Sequence, residues 1–203
     1  MPSKYLHEIA EFPELLQILS KDMGILSGLI EKDYWIMHVL YGLKKQGFEF
    51  ELKGGTSLSK GYKIIDRFSE DIDIHIKPPA KFGINENPKN SNTKNIEARK
   101  NFYDWLAQTI KIDGIISVKR DHAFDNEKTY ASGGIRLFYE SKTDVIEGVK
   151  EGILLEAGFD TVTPNTKLII SSWVFDKAIQ TASIEIIDNR AVILHVIIQG
   201  TLL

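Results

Sequence analysis

A glycine pair followed closely by two alternating aspartates constrains the fold of this chain more than any other feature. The pair, at 54–55, follows a segment at 48–52 in which apolar and acidic residues alternate, as in a half-buried strand. The ten residues from Thr56, with Thr56 or Ser57 as the cap, predict a short helix. The apolar run at 72–76 predicts a second strand. The fold must therefore accommodate the order strand, glycine turn, helix, strand.

Hydrophobic periodicity predicts helices before this motif and mainly strands after it. Because the chain does not alternate regularly between strands and helices, we expect an α+β fold, with a mixed or antiparallel sheet flanked by helices. The predicted helices cover 5–20, 29–45 and 96–111, a long loop covers 78–98, and the predicted strands cover 115–120, 134–140, 151–157, 167–173 and 182–187.

Composition favours one globular domain, which we assign to 1–203. The chain has 203 residues, of which 43% are hydrophobic and 26% charged, enough for a real core. No run approaches 18 apolar residues, which argues against a membrane span, and the lack of cysteine fits a cytoplasmic protein. The net charge of −3 argues against a general nucleic-acid coat protein. A local basic rim for RNA stays possible at the long loop, from Lys81, Lys89, Lys94, Arg99 and Lys100.

Asp71 and Asp73 are the strongest candidates for a metal site. They are two residues apart in a predicted strand, so both carboxylates project from one face and repel each other unless a cation lies between them. Oxygen ligands of this kind suit Mg²⁺ or Mn²⁺. The preceding glycines allow the backbone to approach a ligand, and the next helix offers unpaired N–H groups to a phosphate. The combination predicts phosphoryl or nucleotidyl transfer from a nucleoside triphosphate.

Polar and charged residues around the turn extend this prediction. Ser57 offers a hydroxyl, and Lys60 or Arg67 offers positive charge. Alone, an Asp-x-Asp is usually a solvated strand end and a glycine pair is usually a turn, so only their order along the chain is informative. A Walker A loop is excluded, because no Gly-Lys-Ser/Thr follows the glycines at the required spacing.

Other charged residues have two interpretations each. Residues 31–33, Glu-Lys-Asp on the second predicted helix, most simply form an exposed charge cluster, although Lys32 or Asp33 could brace the site. Arg136 lies within a predicted strand and fits either a triphosphate or acceptor contact or a structural ion pair.

Three segments together resemble a known family. They are Glu-Lys-Asp-Tyr-Trp at 31–35, Lys-Gly-Gly-Thr-Ser-Leu-Ser-Lys at 53–60 and Arg-Phe-Ser-Glu-Asp-Ile-Asp at 67–73. This combination closely resembles the AbiEii/AbiGii toxins, which are nucleotidyltransferases of toxin–antitoxin and abortive-infection systems. The resemblance implies a polymerase-β-like nucleotidyltransferase fold.

The resemblance also implies an activity, cofactors and site residues. A nucleoside monophosphate would pass from a nucleoside triphosphate to an RNA (such as tRNA) or to a protein, and a cognate antitoxin is an expected partner. Asp71 and Asp73 would hold two Mg²⁺ ions, and Glu156, in the apolar run 152–159, would complete the metal site and take the acceptor proton; Glu140 is the alternative. The nucleotide would bind at Gly54, Gly55, Thr56, Ser57, Lys60 and Arg67.

The end of the chain departs from the family pattern. Family members usually continue into a helical C-terminal region, whereas residues 191–203 are nearly all apolar and, if exposed, would form an aggregation-prone edge. We therefore expect a C-terminal truncation, with 195–202 read out of frame as one hypothesis. Two alternatives to a toxin nucleotidyltransferase stay open: a non-catalytic remnant that binds nucleotide or a partner, and a small-molecule nucleotidyltransferase of the antibiotic-modifying type.

Overall fold

A computed structural model describes residues 4–65, 68–159, 164–181 and 185–196. Short 3₁₀ turns lie at Leu6–Glu8, Ala80–Phe82 and His122–Phe124. The main elements are α1 (Phe12–Met23), α2 (Ser27–Lys45), β1 (Phe50–Lys53), α3 (Gly54–Thr56) with a continuing π-helical turn (Ser57–Gly61), β2 (Asp71–Ile76), α4 (Thr93–Thr109), β3 (Ile115–Arg120), β4 (Ser132–Tyr139), β5 (Ile153–Gly158), β6 (Asn165–Ile170), α5 (Trp173–Thr181) and β7 (Ala191–Val196).

The seven strands form one mixed sheet in the order β3-β4-β5-β2-β1-β7-β6. Two of its pairings are parallel, β2 with β5 and β1 with β7, and the other four are antiparallel. This confirms the predicted α+β class and the mixed sheet. The two parallel pairings place β2 and β1 in the interior of the sheet, next to strands that come much later in the chain.

Strand β2 separates a covered face of the sheet from a partly open one. Ile72, Ile74 and Ile76 are buried, whereas Asp71 and Asp73 are partly exposed. The three isoleucines belong to one apolar core that includes side chains from α1, α2, α4 and α5. These helices therefore pack on the isoleucine side of β2, and the aspartates lie on the opposite side.

Within the described ranges, no helix has both the length and the apolar character needed to cross a lipid bilayer.

The long loop before α4 is held by a buried arginine. Arg99, fully buried, donates hydrogen bonds to the backbone carbonyls of Asn85 (2.8 Å), Asn87 (2.6 Å) and Thr129 (2.8 Å). The prediction that Arg99 belongs to an exposed basic rim is therefore wrong. The loop is also shorter than predicted, because Asn92 caps α4 by accepting a hydrogen bond from the Lys94 N–H.

Helix boundaries differ from the predictions for local reasons. The first predicted helix is split, and α1 begins at Phe12 with Pro13 in its first turn, where proline's missing N–H is not needed. The helix after the glycine pair ends at Gly61, four residues early. Helix α5 starts at Trp173, where a strand was predicted to end, and its nine residues are too few to show a clear period.

The last described strand is internal to the sheet. Strand β7 lies between β1 and β6, with Ala191, Ile193 and His195 buried. Residues 191–196 are therefore paired on both sides and are not the exposed apolar edge that the tail would form if it were uncovered, while residues 197–203 lie outside the described residues. The strand predicted at 182–187 is partly outside them too, and its residue Ile186 forms only an isolated bridge to Lys4.

Two neighbouring substitutions test the position of β7. Ile193→Ala removes a fully buried side chain and should lower the free energy of unfolding by about 2–5 kcal/mol. Val192→Ala, on the exposed face of the same strand, should cost at most about 1 kcal/mol. Urea denaturation measures both, and equal losses would contradict an internal β7 with one covered face.

Candidate active site

The three predicted carboxylates meet where β2 pairs with β5. Asp73 lies directly opposite Glu156 in the parallel register, and Asp71, two residues earlier, lies opposite Leu154. Residues in register on neighbouring strands project from the same face of a sheet, so all three carboxylates share one face. Glu156 is the one residue of β5 that is not buried. The structure thus brings together residues that are more than 80 positions apart in the sequence.

Burial and mutual repulsion disfavour the ionised forms of these carboxyls. Burial is the main cause that raises the pKa of Asp71, Asp73 and Glu156. The charges of Asp73 and Asp71 raise the pKa of Glu156 further, and Asp71 does the same to Asp73. Lys53, opposite Asp73 on β1, acts in the other direction and lowers the pKa of both Asp73 and Glu156. The three carboxylates therefore favour a nearby positive charge, and Lys53 already supplies one.

Gly54 is required at the end of β1 for two independent reasons. Its φ of +69° lies in the left-handed region that favours glycine. A Cβ atom at this position would also overlap the Oδ2 atom of Asp73. The turn therefore passes directly against one of the carboxylates, and only a glycine leaves room for both.

The hydroxyls of Thr56 and Ser57 face protein partners. The Thr56 Oγ1 donates to the backbone carbonyl of Asp71 at 2.7 Å. The Ser57 Oγ lies 3.1 Å from Nδ1 of the buried His195 on β7. Both hydroxyls thus fasten the helix that starts at Gly54 to β2 and β7. What the turn offers to a ligand is mainly backbone, because first-turn N–H groups have no acceptor within their own helix.

The predicted cations Lys60 and Arg67 have different outcomes. Lys60 forms an ion pair with the buried Asp33 (Nζ to Oδ1, 2.5 Å), and its ammonium lies 3.9 Å from the ring centroid of Trp173. It therefore connects the glycine-turn helix to α2 and α5. Arg67 lies outside the described residues.

Other charges near the carboxylates were missed or left open by the sequence. Lys32 is buried, and its Nζ donates to Glu70 Oε2 at 3.1 Å and to the Lys150 carbonyl at 2.8 Å. Lys32, Lys150 and Arg136 each lower the pKa of Asp71. The expected exposed cluster at 31–33 is therefore wrong. The sequence did contain a signal that this cluster is buried, because residues 31–33 lie between large apolar residues on the same helix.

Direct contacts show where Arg136 and the two candidate glutamates lie. Arg136 forms an ion pair with Asp121 (2.7 Å) and donates to the Glu151 carbonyl, as the structural interpretation predicted. The side chain of Glu140 is 77% exposed and pairs with Lys142, whereas Glu156 lies beside Asp73. Glu156 is therefore the carboxylate that the fold adds to the two aspartates.

Comparison with known proteins agrees with this geometry. Residues 38–187 match the family model described as "Nucleotidyl transferase AbiEii toxin, Type IV TA system". No curated protein matches the chain. The matched range covers well over half of the sequence and includes the glycine pair and all three carboxylates, whereas the cluster at 31–33 precedes it. The chain therefore belongs to the AbiEii nucleotidyl transferase toxin family of type IV toxin–antitoxin systems.

Proposed function

We propose that this chain is a metal-dependent nucleotidyltransferase with a polymerase-β-type fold. It transfers a nucleoside monophosphate from a nucleoside triphosphate to an RNA, such as tRNA, or to a protein, in the cytoplasm. The main observation in support is that Asp73 lies opposite Glu156 on β2 and β5, with Asp71 on the same face. The turn at Gly54 packs directly against Asp73. Family membership supports the same reaction class. A cognate antitoxin is the proposed partner.

The donor set fits Mg²⁺ or Mn²⁺. The three carboxylates share one face and supply hard oxygen ligands, and their repulsion, which raises the pKa of Asp73 and Glu156, is relieved when a cation lies between them. Within the described residues, no three His, Asp or Glu side chains already converge at metal-binding distance. Asp71, Asp73 and Glu156 would therefore hold the ions after their side chains draw together. The bound ions would neutralise charge that develops on the transferring phosphoryl group.

The remaining roles follow from the turn and from Glu156. Backbone N–H groups at Gly54, Gly55 and Thr56 bind the triphosphate, since the hydroxyls of Thr56 and Ser57 are engaged elsewhere and the Ser57 N–H donates to the Gly54 carbonyl. Lys60 supports this helix through Asp33, and Arg67 adds positive charge. The acceptor hydroxyl oxygen bonds to the α-phosphorus while the bond to pyrophosphate breaks. Glu156, with its raised pKa, accepts the hydroxyl proton.

A labelling experiment tests the activity and its alternatives. Each of the four α-³²P-labelled nucleoside triphosphates is incubated with Mg²⁺ and with RNA, protein or aminoglycoside acceptors. Label in RNA or protein supports the proposal, and label only in the small molecule supports the antibiotic-modifying alternative. Nucleotide binding without any incorporation supports the non-catalytic remnant.

Paired glutamate substitutions identify the third carboxylate. Glu156→Gln should reduce incorporation at least about a hundredfold, because it removes a metal ligand and the proton acceptor. Glu140→Gln changes an exposed glutamate that lies outside the cluster and should leave the rate unchanged. Equal rates for the two variants would remove Glu156 from the mechanism.

A glycine substitution tests the close approach of the turn. Gly54→Ala should lower incorporation about a hundredfold, because the new methyl group displaces the Asp73 carboxylate. Gly83→Ala is the matched control, since Gly83 has a similar φ of +58° and open space around its Cβ position. In both variants, an alanine in the left-handed region adds a similar backbone strain of about 1–2 kcal/mol. Equal activity in both would show that the contact with Asp73 is unimportant.

The raised carboxyl pKa values predict how stability depends on pH. Between the ordinary carboxyl pKa, about 4, and the raised folded values, the folded protein binds more protons than the unfolded chain. The free energy of unfolding of the metal-free protein therefore falls as pH rises through this window. Asp73→Asn should reduce this fall and raise Tm at neutral pH, by roughly 2–4 °C for each kcal/mol regained. Thermal melts without metal from pH 4 to 8 measure this, and a lower Tm for the variant contradicts it.

A further inference from the structure

Three consecutive charged residues on α2 are buried together. Glu31, Lys32 and Asp33 are each at most 3% exposed. A buried charge is costly unless it is paired and hydrogen-bonded, so each of these side chains must have partners inside the protein. Their partners come from several different segments of the chain.

Lys32 contacts the segments from which both carboxylate-bearing strands begin. Its Nζ donates to the side chain of Glu70, the residue before Asp71 at the start of β2. The same Nζ donates to the backbone carbonyl of Lys150, three residues before the start of β5 at Ile153. One ammonium group therefore joins the beginnings of the two parallel strands that carry Asp71, Asp73 and Glu156.

Glu31 holds the other end of the connection from β4 to β5. Its carboxylate accepts hydrogen bonds from the Ser141 hydroxyl (2.8 Å), the Lys142 N–H (2.8 Å) and the Thr143 hydroxyl (2.7 Å). Together with the Lys32 bond to the Lys150 carbonyl, this fixes both ends of the connection to one helical turn. The start of β5 is thereby held relative to α2.

Asp33 holds the glycine-turn side of the site. Its Oδ1 pairs with Lys60, which lies at the end of the helix after Gly54. Its Oδ2 accepts the backbone N–H of Trp173 at 2.9 Å, at the start of α5. A single turn of α2 thus contacts the residue before β2, the segment before β5 and the glycine-turn helix.

We propose that Lys32 is a positioning residue, which holds the starts of β2 and β5 at the separation that lets Asp71, Asp73 and Glu156 share metal ions. This inference rests on the proposed metal site. Lys32 acts through Glu70 and the Lys150 carbonyl, both of which it contacts directly. Partners behind metal ligands typically change metal affinity or activity 10–100-fold when they are removed.

The sign of the change in metal affinity separates positioning from simple charge. Lys32 is a cation near Asp71, so if its charge alone mattered, Lys32→Met would make Mn²⁺ bind more tightly. If Lys32 positions the ligands, Lys32→Met should weaken Mn²⁺ binding about tenfold or more. Lys32→Arg keeps the charge and the donors, and it should restore at least part of the affinity.

Titration calorimetry with Mn²⁺ and no nucleotide measures this in the full chain, and circular dichroism checks folding. Lys77→Met is the matched control, because Lys77 forms an exposed pair with Glu49 and should not change Mn²⁺ affinity. If Lys32→Met does not fold, Lys32→Gln, which retains a hydrogen-bond donor, replaces it with the same expected loss. Unchanged or tighter binding in the folded variant overturns the positioning role.

Asp71→Asn distinguishes failure of this inference from failure of the proposed function. If the unmodified protein binds Mn²⁺ and Asp71→Asn abolishes that binding, the metal site is present and the result for Lys32 stands by itself. If Asp71→Asn binds Mn²⁺ as the unmodified protein does, the proposed metal site is wrong, and the positioning role fails with it. In steady-state kinetics, Lys32→Met should lower kcat while changing the KM for nucleotide less than about threefold. A large rise in KM alone would instead identify Lys32 as a direct phosphate ligand.

Discussion

The parallel pairing of β2 with β5 is the constraint on which the site depends. This pairing places Asp73 beside Glu156, with Asp71 on the same face of the sheet. It also places β5 and β4 on one side of β2 in the strand order, and β1 and β7 on the other. Two strands that run parallel cannot be joined by a tight turn, so β3, α4 and β4 fill the connection between them. The buried isoleucines of β2 pack against the helices, while the opposite face of β2 carries the partly exposed Asp71 and Asp73.

This arrangement places three carboxyl groups close together in a partly buried position. Burial raises the pKa of Asp71, Asp73 and Glu156, and the charges of the two aspartates raise the pKa of Glu156 further, which makes the ionised cluster unfavourable in the folded state. Lys32, Lys53, Lys150 and Arg136 lie close enough to lower the pKa of one or more of the three. The surrounding cations offset part of the repulsion without being ligands themselves. The folded protein therefore keeps repulsion at this cluster that its own cations only partly compensate.

Helix α2 carries three charged residues inside the core. Most of its residues are buried, yet Glu31, Lys32 and Asp33 lie among them with specific partners on separate segments. Apolar side chains at these positions would pack without fixing any one register between the segments. Directional hydrogen bonds fix the register between these segments. Removal of one partner, however, leaves a buried charge unpaired, which is strongly destabilising.

Local patterns in the sequence were enough for the central motif. The alternation in β1 and β2, the glycine turn between them and the common face of Asp71 and Asp73 depend on neighbouring residues and on backbone geometry, so they could be predicted. The family resemblance supplied Glu156, which no local pattern could pair with Asp73. The inward hydroxyls of Thr56 and Ser57, the buried Lys32 and the internal strand β7 were decided only by the tertiary structure. Their partners come from distant parts of the chain, and the choice between water and such a partner is made when the segments pack together.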